Sequence, residues 1–263
     1  AHNHPEPPRD HIVLGDIKDV IKNLNELLAG RSVDIVIGGP PCQGFSMANR
    51  QRLIDDPRNY LYKSYVEVVE KVHPKFFVME NVKGMLSVAE QVKEDFRNIG
   101  YSVECHILNA KDFGVPQNRE RIYLVCFRND IAPKEFLFPE GDKKDVSIKD
   151  ILDDAPIPSK YYLSDVYVNT LRAHKARHEA AGHGFGYVIR ELDGIAGTIV
   201  CGGMGREGNL LIDHREHSMI PTTHIKGHIN TEDIRKMTPR EWARLQGFPD
   251  DFKWDLADTH MYK

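Results

Sequence analysis

Val33-Asp34-Ile35-Val36-Ile37-Gly38-Gly39-Pro40-Pro41-Cys42-Gln43-Gly44-Phe45-Ser46 is the stretch on which the reading of this 263-residue chain turns. A short β-branched run that stops at Gly and Pro predicts a buried strand with a loop at its carboxyl end. In open α/β sheets, ligands and catalytic groups gather at that end. Cys42 is therefore a candidate nucleophile, since a thiolate held clear of the core on such a loop is strongly reactive. The plainer alternative is a small buried Cys at a strand end.

Outward from this loop, the same pattern repeats. His11 to Leu14 predicts a short strand, and the three- and four-residue spacing of Ile17, Val20, Ile21, Leu24, Leu27 and Leu28 predicts a helix over 17–29 with Asp16 as its N-cap. Residues 60–72 predict a helix, 76–79 a strand ending in Glu80-Asn81-Val82, 88–99 a helix, and 101–108 and 121–127 two further strands. Strands alternating with helical spans predict an α/β, doubly wound sheet over about 1–128. From 129 to 232, short apolar pieces among Pro, Gly and His predict a smaller, irregular, mostly β domain. Thr238-Pro239-Arg240-Glu241 then opens a helix with a capping box, and 233–263 returns to the first domain.

Composition sets the outer bounds. A net charge of −4 argues against a general polyanion binder but allows a local basic face, for which Arg50, Arg52 and Arg58 and the run His174 to His178 are candidates. The chain has four widely spaced cysteines and no C-x-x-C pair, which suggests neither a zinc site nor a disulfide framework and fits a reduced, cytoplasmic setting. No run approaches the length of a membrane span.

Two further groups carry chemistry. Glu80 places a carboxyl group at the end of the strand after the Cys42 strand, at the same sheet edge if the two are parallel neighbours. Enclosed away from water, it could hold or donate a proton. Arg119 and Arg121 alternate along an extended segment, so their side chains share a face suited to a carbonyl oxygen or a phosphate.

Gly-Pro-Pro-Cys-Gln-Gly-Phe-Ser, Glu-Asn-Val, Gln117-Asn118-Arg119-Glu120-Arg121 and Arg240 to Pro249 together resemble, in order, motifs of the DNA (cytosine-5)-methyltransferases of bacterial type. The resemblance implies S-adenosyl-L-methionine as cofactor and a flipped cytosine in double-stranded DNA as substrate. It implies Cys42 as nucleophile at carbon 6, Glu80 at nitrogen 3, Arg121 on oxygen 2 and Arg119 behind the Cys42 loop. It places Asp16, Ile17 and Pro40 at the cofactor, and Gln43, Ser46, Arg50, Thr198 and Arg206 toward DNA, in a cytoplasmic, nucleoid-associated protein. Trp242, Leu245 and Phe248 are expected in the core, with Arg240 structural.

The resemblance covers the middle of the family. Its Phe-x-Gly-x-Gly loop, its second-strand acidic residue and its closing Gly-Asn-Ser-Val segment have no counterpart in these residues. The expected sheet is therefore incomplete, and activity is expected to need a complementing polypeptide that carries those segments. A non-catalytic DNA-binding relative and an RNA (tRNA) cytosine-5 methyltransferase are the alternatives.

Overall fold

The computed structural model describes residues 12–41, 60–142, 144–184, 186–200, 205–215, 217–218, 227–254 and 256–262. In chain order the first elements are helices α1 (Ile17–Lys22) and α2 (Leu24–Leu28), strand β1 (Ile35–Gly38), helix α3 (Tyr60–Val72), strand β2 (Phe76–Val82), helix α4 (Ala89–Asn98) and strands β3 (Tyr101–Asn109), β4 (Gln117–Asn118) and β5 (Glu120–Arg128). There follow β6 (Ile157–Pro158), α5 (Asp165–Ala180), β7 (Ala196–Gly197), β8 (Leu211–Ile212), β9 (His217–Ser218), β10 (Ile234–Arg235), α6 (Pro239–Arg244) and α7 (Asp258–Met261). Two compact units result. One holds 3–109 and 120–139, the other 110–119 and 140–263.

In the first unit a four-stranded mixed sheet runs in the order β1-β2-β5-β3. β1 and β2 are parallel, with Ile35 opposite Phe76 and Gly38 opposite Met79, while β5 is antiparallel to both β2 and β3. The parallel pairing needed to bring the ends of the Cys42 strand and the Glu80 strand to one edge is therefore present. Phe77, Met79, Val92, Phe96, Tyr101, Ile122 and Leu124 form the core on one face of the sheet. Ring centroids of Phe77 and Phe96 stand 4.6 Å apart, and those of Phe77 and Tyr101 5.2 Å. Each such ring buried from water stabilises the unit by roughly 1.5–3 kcal/mol.

Several predicted elements change at their ends. Ile12 to Leu14 form no strand, and Leu14 is fully exposed. Among the described residues no strand runs beside them, and a strand with nothing to pair gains no ladder hydrogen bonds. The helix predicted over 17–29 breaks at Asn23, whose side-chain amide donates to Asp19 O at 3.2 Å in competition with the helical backbone. β2 continues through Glu80-Asn81-Val82 because its pairing with β5 extends to Val82 opposite Arg121.

The second unit is built from two-residue strand pairs around two apolar clusters. One gathers Ile148, Leu211, Met237, Trp242 and Leu245, the other Leu163, Val168, Leu171, Leu210 and Ile234. The 16-residue α5 is not among the elements expected there. Its only buried residues are Val168 and Leu171, so the apolar repeat that marks a helix is faint, although Ser164 caps it by accepting from the Tyr167 amide at 3.2 Å. The capping box of α6 is present as predicted, with the Thr238 and Glu241 side chains each accepting the other's backbone amide. Phe248, expected in the core, is 39% exposed and instead packs edge-on against Phe252 and Trp254.

Candidate active site

β1 delivers the chain to its carboxyl end with almost no room at the last two glycines. A methyl group on Gly38 would stand 2.6 Å from Cε2 of Tyr65, and one on Gly39 3.1 Å from Oε2 of Glu80. Tyr65 reaches from α3 across the parallel pair and donates its hydroxyl to Val78 O at 3.0 Å. Burial pushes that hydroxyl's pKa up, so it stays a donor. The glycines thus let the loop leave the sheet pressed between a tyrosine ring and a carboxylate.

Glu80 lies one residue past the Gly38–Met79 register pair and is fixed by Arg121, whose Nε stands 3.0 Å from Glu80 Oε1. Arg121 also donates from Nη1 to Glu120 O at 2.8 Å. The structure therefore brings Glu80, Arg121, Gly39 and Pro40 to one sheet edge, three residues before Cys42 at Gly39. Cys42, Gln43, Ser46 and Arg50 lie outside the described residues, as does the side chain of Arg206.

Asn81, quoted in the sequence only as part of a tripeptide, also belongs to this site. It donates from Nδ2 to Pro40 O at 3.0 Å and accepts the Val82 amide on Oδ1 at 2.8 Å. The two described cysteines, Cys105 and Cys126, lie on β3 and β5, away from this edge. Burial raises the pKa of Cys105 and, more strongly, of Cys126.

At the other candidate positions the local roles are clear. Asp16 caps α1, accepting the Lys18 amide on Oδ1 at 2.8 Å; it is exposed, with Ile17 half-buried behind it. An exposed carboxylate beside a half-buried apolar side chain fits the amino edge and ring face of an adenine, so the residues present suit the adenine end of S-adenosylmethionine.

In the second unit, Thr198 donates its hydroxyl to Asn118 O at 2.7 Å. Gln117, fully buried, donates to Leu245 O and accepts the Ile199 amide at 3.1 Å, tying β4 to the 196–199 segment and to the end of α6. Asn209 holds Gly197 through both its amide and its carbonyl. No sequence pattern marks Gln117 or Asn209, because the role of each lies in the backbone groups it bonds. Arg119 sits in this unit, its amide donating to Gln117 O at 2.9 Å, and the boundary between the units falls directly after it. Arg240 is structural as expected, donating to Pro249 O and Phe252 O with its guanidinium over the Trp254 ring.

The profile of the family described as C-5 cytosine-specific DNA methylase matches residues 2–263. Type II methyltransferase M.HpaII of Haemophilus parainfluenzae is 49% identical over 240 residues, covering 88% of this chain and 66% of that protein. Type II methyltransferase M.SsoII of Shigella sonnei is 33% identical over 237 residues, covering 88% of this chain and 59% of that protein. The chain thus spans two thirds or less of the length of these two relatives.

Among solved structures, the Entamoeba histolytica methyltransferase EhMeth superposes with a TM-score of 0.66 at 19% identity, over 95% of this chain and 76% of that one. The S. pombe Dnmt2 methyltransferase gives 0.60 at 22%, over 95% and 77%. At such identities the likeness establishes the fold. No helix among the described residues is long and apolar enough to cross a membrane.

Proposed function

Because this chain belongs to the C-5 cytosine-specific DNA methylase family, we propose that it carries the catalytic groups for methylating carbon 5 of a flipped-out cytosine in double-stranded DNA. The observation that carries this reading is the Glu80 carboxylate, held by Arg121 against Gly39 on the strand parallel to β1. Cytosine carbon 5 is a poor nucleophile until a group adds at carbon 6, so the reaction needs covalent catalysis. Cys42 adds its sulfur to carbon 6 at the expense of the 5,6 double bond, Glu80 holds a proton at ring nitrogen 3 as electron density builds there, and Arg121 fixes the Glu80 carboxylate while facing oxygen 2 of the ring. Once carbon 5 is methylated it loses its proton to solvent and the sulfur leaves carbon 6, restoring the double bond. S-adenosylmethionine, when bound, would supply the electrophilic methyl group, held by Asp16 and Ile17 at its adenine and with Pro40 near it.

Residues 129–232 read the DNA sequence, with Thr198 and Arg206 toward the duplex, and Gln43, Ser46 and Arg50 flank the flipped base. Arg119 supports the Cys42 loop. The remaining cofactor-binding glycine loop and the strands beside β1 come from polypeptide outside these 263 residues, on the same chain or a separate one. Ile35 and Ile37 of β1, and Ile12 to Leu14 ahead of α1, support this, being apolar and exposed. A hollow of about 440 Å³ nearby, lined by Val13, Val20, Leu24 and Leu27, adds to the uncovered apolar surface. The complete enzyme works in the cytoplasm, at the nucleoid.

Methyl transfer from labelled cofactor to duplex DNA and to tRNA, with the missing segments supplied, tests the reading. Incorporation into DNA cytosine is the expected result; incorporation into tRNA alone would refute it. The 263-residue chain by itself is expected to give no turnover, and clear turnover would refute the need for complementing segments.

A further inference from the structure

We propose that Arg190 is a phosphate contact, its guanidinium gripping the backbone of duplex DNA, an inference that rests on the reading that residues 129–232 meet the duplex. Arg190 follows the bridge between Ile189 and Leu210, and its own amide donates to Leu210 O at 2.8 Å. Its side chain is half-buried and fixed at one end, where Nε donates to Gly208 O at 3.2 Å and to Asn209 Oδ1 at 3.1 Å. Asn209 in turn accepts the Gly197 amide and donates to Gly197 O, so the guanidinium and the 196–198 segment share one anchor. Gly197 leaves the room for it, since a methyl group there would collide with Nη2 of Arg190.

What this arrangement lacks is a carboxylate. Arg172, Arg215, Arg235 and Arg244 of the same unit each stand within 2.9 Å of one. Arg190 has none among the described residues, and its Nη1 and Nη2 make no hydrogen bond there. Burial lowers its pKa with no neighbouring charge to offset the effect. A guanidinium partly withdrawn from water, with its remaining N–H groups unspent, is complete only when an anion arrives from outside the fold. The free edge is a planar fork, which matches two phosphate oxygens. Guanine also offers two acceptors to such a fork, but its partial charges leave the full positive charge uncompensated. Thr198, expected toward the duplex, is the residue after the glycine on which the guanidinium rests. The contact therefore sets the register of the duplex and carries no base preference of its own.

The test compares Arg190→Gln and Arg190→Lys with wild type in the enzyme with its missing segments supplied. It measures affinity for duplex DNA across a salt series, sequence preference on a randomised duplex pool, and thermal unfolding. Arg190→Gln is expected to weaken binding by about tenfold at low salt, equally across sequences, and to make the slope of log affinity against log salt shallower by about one. Arg190→Lys should keep the wild-type slope, since the charge remains, and lose part of the affinity with the fork. A purely structural arginine would lower the unfolding temperature and leave the salt slope of folded enzyme unchanged, which would overturn the proposal. A loss confined to one base position would overturn it too, in favour of guanine readout. Should Arg190→Gln fail to fold, wild type decides: duplex DNA is expected to protect Arg190 from phenylglyoxal in peptide mapping, and unaltered modification refutes the contact. Methylation of DNA by a wild type whose Arg190 fails these measurements removes the contact alone. A wild type that neither binds nor methylates duplex DNA removes the proposed reaction and the contact together.

Discussion

At the scale of single residues, the site depends on what small or polar side chains leave room for. Gly38 is required by the Tyr65 ring that crosses it, since any Cβ there must displace a side chain packed in the core cluster. Gly38→Ala is expected to cost about 1–3 kcal/mol of stability in a denaturant titration, and a neutral result would show that Tyr65 can move aside. Arg121→Lys keeps a charge but loses the planar guanidinium that fixes Glu80, so adduct formation should fall by about tenfold or more while the fold persists. An unchanged rate would remove Arg121 from the mechanism. Cys42, Glu80 and Arg121 could be named from the sequence because each is a reactive type at a strand end. Asn81 and Gln117 could not, because their roles lie in whom they bond, and an amide's partners are set by tertiary packing.

At the scale of elements, strong periodicity was legible and weak periodicity was not. α3, with Tyr62, Val66, Val69 and other apolar residues along one face, forms over the predicted 60–72, and α6 starts at its predicted capping box. α5 escaped notice because only Val168 and Leu171 of its 16 residues are buried. The segment 12–14 departs from its predicted strand for the opposite reason. Its apolar content is real, but a strand is defined by its neighbour, and none is described beside it. The cap itself is testable: Thr238→Ala removes the acceptor for the Glu241 amide and a hydroxyl donor to Asp153 at 2.6 Å, and should cost about 1–2 kcal/mol. A loss of a few tenths would mean that Glu241 alone secures the helix start.

At the scale of the whole molecule, the second unit is organised around a buried charge network that the sequence did not disclose. Arg235 is fully buried and donates to Asp213 from Nε at 2.7 Å and to Glu241 from Nη1 and Nη2 at 2.7 and 2.9 Å. Read in sequence, Arg235 is one more charge in a polar segment; only the fold shows it enclosed between two carboxylates. Arg235→Met leaves Glu241 buried without its cation and Asp213 with Arg215 alone, with an expected loss of about 3–5 kcal/mol. Burial opposes the ionised form of Asp213, yet Arg215 and Arg235 together hold its carboxyl well below the usual carboxylate range. A depressed folded-state pKa stabilises above the unfolded value, so this contribution is complete above roughly pH 4 and is lost as acid carries the pH below it. Asp213→Asn should flatten the fall in unfolding free energy over that acid window, and an unaltered pH profile would show that other carboxylates govern it.

The proposed reaction requires Cys42 to add to a cytosine at the edge where Glu80 and Arg121 meet. Trapping on duplex DNA containing 5-fluorocytosine, in the presence of S-adenosylmethionine and the complementing segments, measures that step directly. The expected result is a stable protein–DNA adduct that peptide mapping assigns to Cys42 and that Cys42→Ser abolishes. An adduct that survives Cys42→Ser, or methyl transfer to cytosine with no adduct trapped at all, would contradict it.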